Sequence, residues 1–347
     1  MENPFTLTFG KSPRQYISQP VQKREIIDTF TAENPSQQAF IITGVRGSGK
    51  TVLMTDVASE LNRLDNWIVL ELNPELDLLN SMAAKLSSIN WCADIFRCAK
   101  INLSFLGFGV EISGEPAIRD IETALVRMLE AISKKGKRVL IAIDEASNNS
   151  RMRILAGSFQ IFVRQNLPVF LLMTGLYENI SELQDEKDLT FLYRAPKIKL
   201  QPLNLTAISN KYKEIFEIDD NIAKNMAKAT SGYPFAFQVL GYLCWEYKTF
   251  DEHVLNEYAF YLEEYVYNKI WSELSNRDKL LAYGIATAKT QKVSDIKHSA
   301  GMTANEFNPY RMRLIKKGLV SGNERGSLHF ILPMFDKFVV NNTFFEQ

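Results

Sequence analysis

The feature that most restricts the fold of this chain is a segment with three glycines, GVRGSGKT at residues 44–51. It follows a compact apolar stretch, residues 38–43, that predicts a buried strand. It precedes residues 52–64, where apolar side chains recur at helical spacing. Glycines let a backbone curl closely around a phosphate so that successive N–H groups face it. The strand, the glycine turn and the helix together predict a phosphate-binding loop, because the segment fits G-x-x-x-x-G-K-[ST].

The chemistry of such a loop gives each position a role. The helix that starts near Lys50 directs the positive end of its dipole at the anion. We expect Lys50 to reach the β- and γ-phosphates and the Thr51 hydroxyl to ligate Mg²⁺. An ordinary glycine-rich turn between strand and helix is the alternative. The predicted phosphate-binding residues are Gly44, Val45, Arg46, Gly47, Ser48, Gly49, Lys50, Thr51 and Val52.

A second motif supplies acidic groups. Residues 139–143 are all aliphatic, predict a buried strand, and end in Asp144 and Glu145. Ligands of open α/β sheets bind at the carboxyl ends of the strands. We therefore expect Asp144 to hold Mg²⁺, and Glu145 to act as the general base that accepts a proton from an attacking water. An acidic pair at the start of the next helix is the alternative.

A third strand, residues 169–174, ends in a polar residue, Thr174. Its hydroxyl is a candidate to orient the lytic water or to touch the γ-phosphate. The alternative is a strand that simply ends at a Thr-Gly turn.

Strands and helices alternate through the first two hundred residues. The pattern predicts an α/β fold with a parallel sheet covered by helices on both faces. After Pro202 the strand pattern stops. We predict an ATPase core over residues 1–202, a helical lid over 203–272 and a third domain over 273–347. The predicted strands are 38–43, 67–72, 138–143, 169–174 and 197–200, and the predicted helices are 21–31, 52–64, 76–89, 118–134, 152–165, 206–216, 221–230, 235–247 and 253–271.

Residues 91–115 interrupt this alternation. Residues 101–105 and 108–112 alternate apolar and polar side chains around Gly107, which predicts a β-hairpin-like insertion.

Together these motifs resemble the ASCE division of P-loop NTPases. The acidic pair and the polar strand end resemble AAA+ and STAND ATPases. The sequence of residues 42–51 follows a predicted helix that holds residues 23–27. This arrangement is similar to that of bacterial and archaeal ATPases related to origin-recognition initiators. The resemblance implies binding of ATP or ADP with Mg²⁺, slow ATP hydrolysis, and the strand order 5-1-4-3-2.

The resemblance also assigns two further residues. Arg194, before the last strand, stands where AAA+ proteins place an arginine finger that completes the site of a neighbouring subunit. The alternative is a surface arginine that pairs with Asp188 or Glu186. Pro234, in the segment Gly-Tyr-Pro, stands where STAND-like ATPases open a lid helix near the nucleotide. The sensor arginine of AAA+ initiators is not matched here, and a helix start with Phe235 in the core is the alternative.

The last part of the chain predicts a winged helix. Helices are expected at residues 276–287, 293–300 and 304–317, followed by strands near 319–321 and 328–332 with a wing between them. Phe307, Met312 and Ile315 are expected in its core. Pro309 is the weak point of the third helix.

Charge makes this domain a candidate DNA-binding surface. Residues 289–326 hold eight Lys or Arg against three Asp or Glu, an excess of five positive charges, although the whole chain has 40 of each sign. The candidate contacts with double-stranded DNA are Asn305, Asn308, Arg311, Lys316 and Arg325. A winged helix that contacts protein is the alternative.

Composition excludes other classes. The three cysteines form no CxxC pair and the three histidines have no metal spacing. Apolar runs are too short for a membrane span and the N-terminus resembles no signal peptide, so we expect a cytoplasmic protein. The sequence thus favours an ATP-dependent switch that binds DNA. A STAND-like signalling or defence ATPase that self-associates, and a nucleotide-binding protein that hardly hydrolyses ATP, are the alternatives.

Overall fold

The computed structural model describes residues 2–8, 13–99, 101, 118, 120–186, 189–322 and 326–345. The chain divides into two compact units. The sheet unit consists of Gln19–Thr43 and Lys50–Lys199, and the helical unit consists of Met1–Ser18, Gly44–Gly49 and Leu200–Gln347. Within the described residues, each helix is too short or too polar to traverse a lipid bilayer.

The sheet unit is built on five parallel strands in the order β2-β3-β4-β1-β5, which confirms the predicted order. The register pairs Ile42 with Thr174 and Ile143 with Met173. The strand that ends in Thr174 therefore lies between the strand that leads into residues 44–51 and the strand that ends before Asp144. The strands are β1 (Ala39–Thr43), β2 (Trp67–Glu71), β3 (Arg138–Ile143), β4 (Val169–Gly175) and β5 (Lys197–Lys199).

Helices cover this sheet on both faces, as predicted. Ile41 and Leu171 belong to a core cluster shared with α3, α5 and α6. On the opposite face, Phe30 of α1 contacts the rings of Phe40 and Phe170. Residues alternate between the two faces along a strand, so both faces need apolar side chains. The described helices of this unit are α1 (Pro20–Thr31), α2 (Lys50–Asn62), α3 (Leu78–Ser88), α4 (Asn90–Cys98), α5 (Ile121–Ser133), α6 (Ser150–Arg164), α7 (Tyr177–Gln184) and α8 (Thr190–Tyr193).

The predicted insertion begins with a helix. Asn90–Cys98 forms α4 and buries Cys92 and Phe96. The hairpin predicted at residues 101–105 and 108–112 falls, apart from Ile101, outside the described residues.

The helical unit continues the chain after the sheet. Residues 253–271, predicted as one helix, contain a π-helical turn at Glu263–Tyr267. The described helices are α9 (Leu205–Phe216), α10 (Asp220–Ala229), α11 (Pro234–Tyr247), α12 (Glu252–Leu262), α13 (Asn268–Ser272), α14 (Asn276–Thr287), α15 (Val293–Ala300), α16 (Ala304–Lys317) and α17 (Phe335–Phe345).

A tight turn before α11 depends on a glycine. Gly232 has φ of +75°, and a Cβ there would lie 2.6 Å from the Leu203 carbonyl oxygen. The Leu203 N–H in turn donates to the Gly232 carbonyl at 2.7 Å. The turn ends at Tyr233, and Pro234 occupies the first position of α11, where its lack of an N–H costs nothing.

The C-terminal helices form the predicted helix–turn–helix. Gly301 ends α15 in the left-handed conformation, and Thr303 begins α16 with a capping box to Glu306. Strands β6 (Val320–Ser321) and β7 (His329–Phe330) pair antiparallel, while residues 323–325 between them lie outside the described residues. The three-domain division of the chain stays a prediction.

Helix α16 contains Pro309 and packs one face against the core of the helical unit. The helix continues through Pro309, so packing offsets the lost hydrogen bond. Phe307 is fully buried and Ile315 packs against the core, but the placement of Met312 in the core was wrong. Met312 is 49% exposed because its position on the helix faces away from Phe307 and Leu314.

We predict that Gly232→Ala destabilises the protein by about 3 kcal/mol. The alanine would be strained in the left-handed conformation, and its Cβ would clash with the Leu203 carbonyl oxygen. Gly301→Ala is the matched control, since Gly301 has φ of +60° and open space around its Cβ position. The control should lose only about 1 kcal/mol. Urea denaturation measures both, and equal losses would contradict the clash at Gly232.

Candidate functional site

The centre of the site in the sheet unit is the carboxylate of Asp144, directly after β3. Thr174 donates its hydroxyl proton to Asp144 Oδ1, and the Glu145 N–H donates to the same oxygen at 3.1 Å. Thr51, in the first turn of α2, donates to Asp144 Oδ2 at 2.8 Å. Both carboxylate oxygens are therefore held by neighbouring groups, and the three predicted residues Thr51, Asp144 and Thr174 lie together.

Thr174 is the buried member of this network. Its side chain is inaccessible to solvent, and its oxygen accepts the Glu145 N–H at 3.2 Å while it donates to Asp144. This buried hydroxyl both donates and accepts a hydrogen bond. It contributes more to stability than the sum of the two hydrogen bonds, because the loss of either partner leaves a polar group unpaired. Its geometry makes it the anchor of the Asp144–Glu145 turn.

The backbone of Glu145 has an unusual conformation. Its φ of +54° lies in the left-handed region, which costs a residue with a Cβ about 1–2 kcal/mol. The Ala146 N–H donates to the Thr174 carbonyl at 2.8 Å, and this bond keeps the turn in place. The Glu145 side chain itself is exposed to solvent. Strain of this kind, held by surrounding bonds and next to a fixed carboxylate, is typical of functional positions.

The loop that precedes α2 belongs to the helical unit up to Gly49. Gly47 and Gly49 have φ of +70° and +88°, which only glycine adopts without strain. A Cβ on Gly44 would collide with the Ser48 hydroxyl. Ser48 Oγ is buried and has no hydrogen-bond partner among the described residues. All three glycines are thus required for the shape of this turn.

Residues at the start of α11 bind the carbonyl groups of this loop. The Tyr233 hydroxyl donates to the Arg46 carbonyl at 2.5 Å, and the Phe235 N–H donates to the Gly47 carbonyl at 3.2 Å. Pro234 lies in van der Waals range of the Cβ position of Gly49. Of the residues in this segment, the sequence singled out Pro234 but not Tyr233.

The side chain of Arg46 also connects the loop to the end of α13. Its guanidinium forms an ion pair with Glu273 at 2.8 Å, and Lys269 approaches the same carboxylate at 3.5 Å. The Arg46 and Glu273 side chains are both about one-third exposed, so the pair contributes at most about 1 kcal/mol.

Arg194 caps the short helix α8 and is exposed to solvent. The suggested pairing with Glu186 is not observed, because Glu186 binds Arg153 at 3.1 Å and Asn148 at 2.9 Å. The other suggested partner, Asp188, lies outside the described residues. The role of Arg194 as an arginine finger therefore stays a prediction.

The candidate DNA contacts lie on and beside α16. Asn305, Asn308 and Lys316 are exposed, whereas Arg311 is partly buried. Arg325 lies outside the described residues. Arg313, which contributes to the basic excess, has another role: it holds the buried carboxylate of Asp278 on α14 at 2.6 Å.

The fold is similar to that of solved structures that include a Walker-type ATPase and an ORC2 protein. The Walker-type ATPase of Pyrococcus abyssi is similar to this chain with a TM-score of 0.66 at 15% identity, over 94% of this chain and 96% of that one. The ORC2 protein of Aeropyrum pernix, solved as ADPNP and ADP complexes, has a TM-score of 0.54 at 13% identity, over 93% and 92% of the two chains. At these identities the likeness is one of fold.

A family model described as a domain of unknown function, DUF8462, matches residues 264–339, which run from the π-helical turn into α17. No curated protein matches the chain in sequence.

We predict that Thr174→Val leaves the fold intact but lowers stability by about 1–3 kcal/mol, because the Asp144 Oδ1 and the Glu145 N–H lose a shared partner. Thr43→Val makes the same exchange of hydroxyl for methyl on the adjacent strand and serves as the control. Thermal unfolding compares the two variants. A smaller effect at Thr174 than at Thr43 would contradict its role as the anchor.

Proposed function

We propose that the protein binds ATP with Mg²⁺ at residues 44–52 and hydrolyses it slowly. The observation that carries this proposal is the network around Asp144, in which hydroxyls of Thr51 and Thr174 hold both carboxylate oxygens. The fold shared with Walker-type ATPases supports it, as do the nucleotide complexes in which the Aeropyrum pernix ORC2 protein was solved.

The residues present fit a nucleotide and its metal. The positive φ of Gly47 and Gly49 lets the backbone turn tightly, as a phosphate-binding loop requires, and the buried Ser48 hydroxyl lacks a partner among the described residues, as expected where an anion would bind. Mg²⁺ is commonly held by one or two protein oxygens together with phosphates and water. Thr51 and Asp144 would supply those oxygens, and the metal would neutralise charge on the phosphates.

The remaining groups divide the work of hydrolysis. Lys50 neutralises the β- and γ-phosphates, and Glu145 accepts the proton of the attacking water. Thr174 acts through Asp144 and the Glu145 backbone, because its hydroxyl is used by both. Arg194 is exposed, as a residue that serves a neighbouring copy must be, so its contribution would require self-association.

We expect Glu145→Gln to retain Mg·ATP binding and to lower turnover by about a hundredfold, since a general base contributes about 10²–10⁴ in rate. Glu182→Gln, an exposed carboxylate on α7, is the control and should hydrolyse ATP like the wild type. Phosphate release under saturating ATP measures both variants. Unchanged turnover in Glu145→Gln would contradict the assignment of Glu145 as the general base.

We further propose that the C-terminal region 273–347 is a winged helix that binds double-stranded DNA and that the nucleotide switches this binding. The helix–turn–helix of α15 and α16, the antiparallel pair β6–β7 and the basic excess of residues 289–326 support the proposal. Arg46 and Glu273 supply a physical connection between the phosphate loop and the residues just before α14.

If α16 contacts DNA phosphates, Lys316→Ala should weaken binding to all duplexes alike. The slope of log affinity against log salt concentration should become shallower by about one. Lys224→Ala, an exposed lysine on α10, is the control and should leave binding unchanged. Gel shifts at a series of salt concentrations, with and without ATP, measure the effect. Absence of wild-type binding at low salt contradicts the DNA proposal.

The second candidate function is a STAND-like signalling ATPase whose C-terminal domain contacts protein. The close packing of the segment Gly232–Tyr233–Pro234 against the phosphate loop favours it. Light scattering and gel shifts together distinguish the two functions, because ATP-dependent assembly without any binding to duplex DNA is expected only for this one.

A further inference from the structure

One buried tyrosine binds a carbonyl group of the loop at residues 44–49. Tyr233 is 2% exposed, and its hydroxyl donates to the Arg46 carbonyl at 2.5 Å. Both residues lie in the helical unit. The ring also packs edge-on against Phe235, whose N–H binds the next carbonyl of the loop, that of Gly47. Two successive carbonyl groups of the loop are thereby fixed by the start of α11.

The direction of a carbonyl group fixes the direction of the N–H in the same peptide. Peptide units are planar, and the described chain contains only trans peptide bonds, so the two groups point in opposite directions. Because the Arg46 carbonyl points at Tyr233, the Gly47 N–H points away from Tyr233. In a loop of this kind the N–H groups are the ones that face a phosphate.

The fit between Tyr233 and Gly47 is close. A Cβ on Gly47 would collide with the Tyr233 hydroxyl and would lie 2.9 Å from Cβ of Phe235. The space that the missing side chain leaves is therefore filled by the phenol. The glycine and the tyrosine depend on each other, which is expected when a hydroxyl sets the backbone conformation of a loop.

The phenol is also suited to remain a donor. Burial raises the pKa of Tyr233 well above its ordinary value, so the hydroxyl keeps its proton throughout the neutral pH range. A carbonyl oxygen can only accept, and a protonated phenol always offers a hydrogen.

We propose that Tyr233 is a positioning residue for nucleotide binding, whose hydroxyl holds the Arg46–Gly47 peptide with its N–H directed at the phosphates. The inference rests on the proposed nucleotide site at residues 44–52. In this proposal the Gly-Tyr-Pro segment acts on the backbone of the loop through the Tyr233 hydroxyl. This role is distinct from any contact of Pro234 with the nucleotide.

The test compares two conservative variants of the 347-residue chain. Tyr233→Phe removes the hydroxyl at the loop. Tyr267→Phe is the matched control, because Tyr267 is 1% exposed and its hydroxyl donates to the Pro333 carbonyl, also at 2.5 Å. Titration calorimetry with Mg·ATP and with Mg·ADP gives the dissociation constants, and thermal unfolding of the nucleotide-free proteins gives the stabilities.

We expect Tyr233→Phe to raise both dissociation constants by about tenfold, as for one weakened hydrogen bond to a charged group. Tyr267→Phe should bind like the wild type although both variants lose similar stability. Wild-type affinity in Tyr233→Phe overturns the inference, and so does an equal loss in both variants, which would indicate general loosening of the helical unit.

The same titration separates this inference from the proposed function. If Lys50→Ala abolishes binding while Tyr233→Phe binds like the wild type, the nucleotide site stands and only the role of Tyr233 fails. If Lys50→Ala binds as tightly as the wild type, the site is not at residues 44–52, and the inference fails with it.

Discussion

The structure depends most on the fixed position of the Asp144 carboxylate. Three groups bind it: the hydroxyl of Thr51 at the start of α2, the hydroxyl of Thr174 on β4, and the N–H of Glu145. These residues come from separate parts of the chain, and the parallel register of β3 with β4 and of β4 with β1 brings them to one edge. The sheet thus positions the oxygens of the proposed metal site without any long side chain, and the strain at Glu145 is offset by bonds to the same residues.

The sheet could be predicted from the sequence because each strand is marked by a pattern of neighbouring residues. Each strand is a short aliphatic run, and the glycine pattern of residues 44–51 and the acidic pair at 144–145 stand directly at strand ends. The core of the site followed from these positions. The strand order rested on the resemblance to known ATPases, since periodicity contains no information about which strands are neighbours.

Other features depend on tertiary packing and were missed. Helix α17 is rich in phenylalanine, valine, asparagine and threonine, which have low helix propensity, yet Phe335, Phe338 and Val339 are buried at helical spacing. Helix α4 was hidden within a presumed insertion. Tyr233 and Glu273 are far from residues 44–49 in sequence, so nothing local marked their contacts with that loop. The Thr-Ser-Gly-Tyr-Pro turn was visible, but the partner of its tyrosine was not.

The central claim is that residues 44–52, together with Thr51 and Asp144 as metal ligands, bind a nucleoside triphosphate. A crystal structure with Mg²⁺ and a non-hydrolysable ATP analogue tests it most directly. The account predicts phosphates against the amides of residues 44–51, Lys50 at the β- and γ-phosphates, and Mg²⁺ bound through Thr51 and Asp144 or its water shell. A nucleotide bound elsewhere, or a metal ion remote from Asp144, would contradict it.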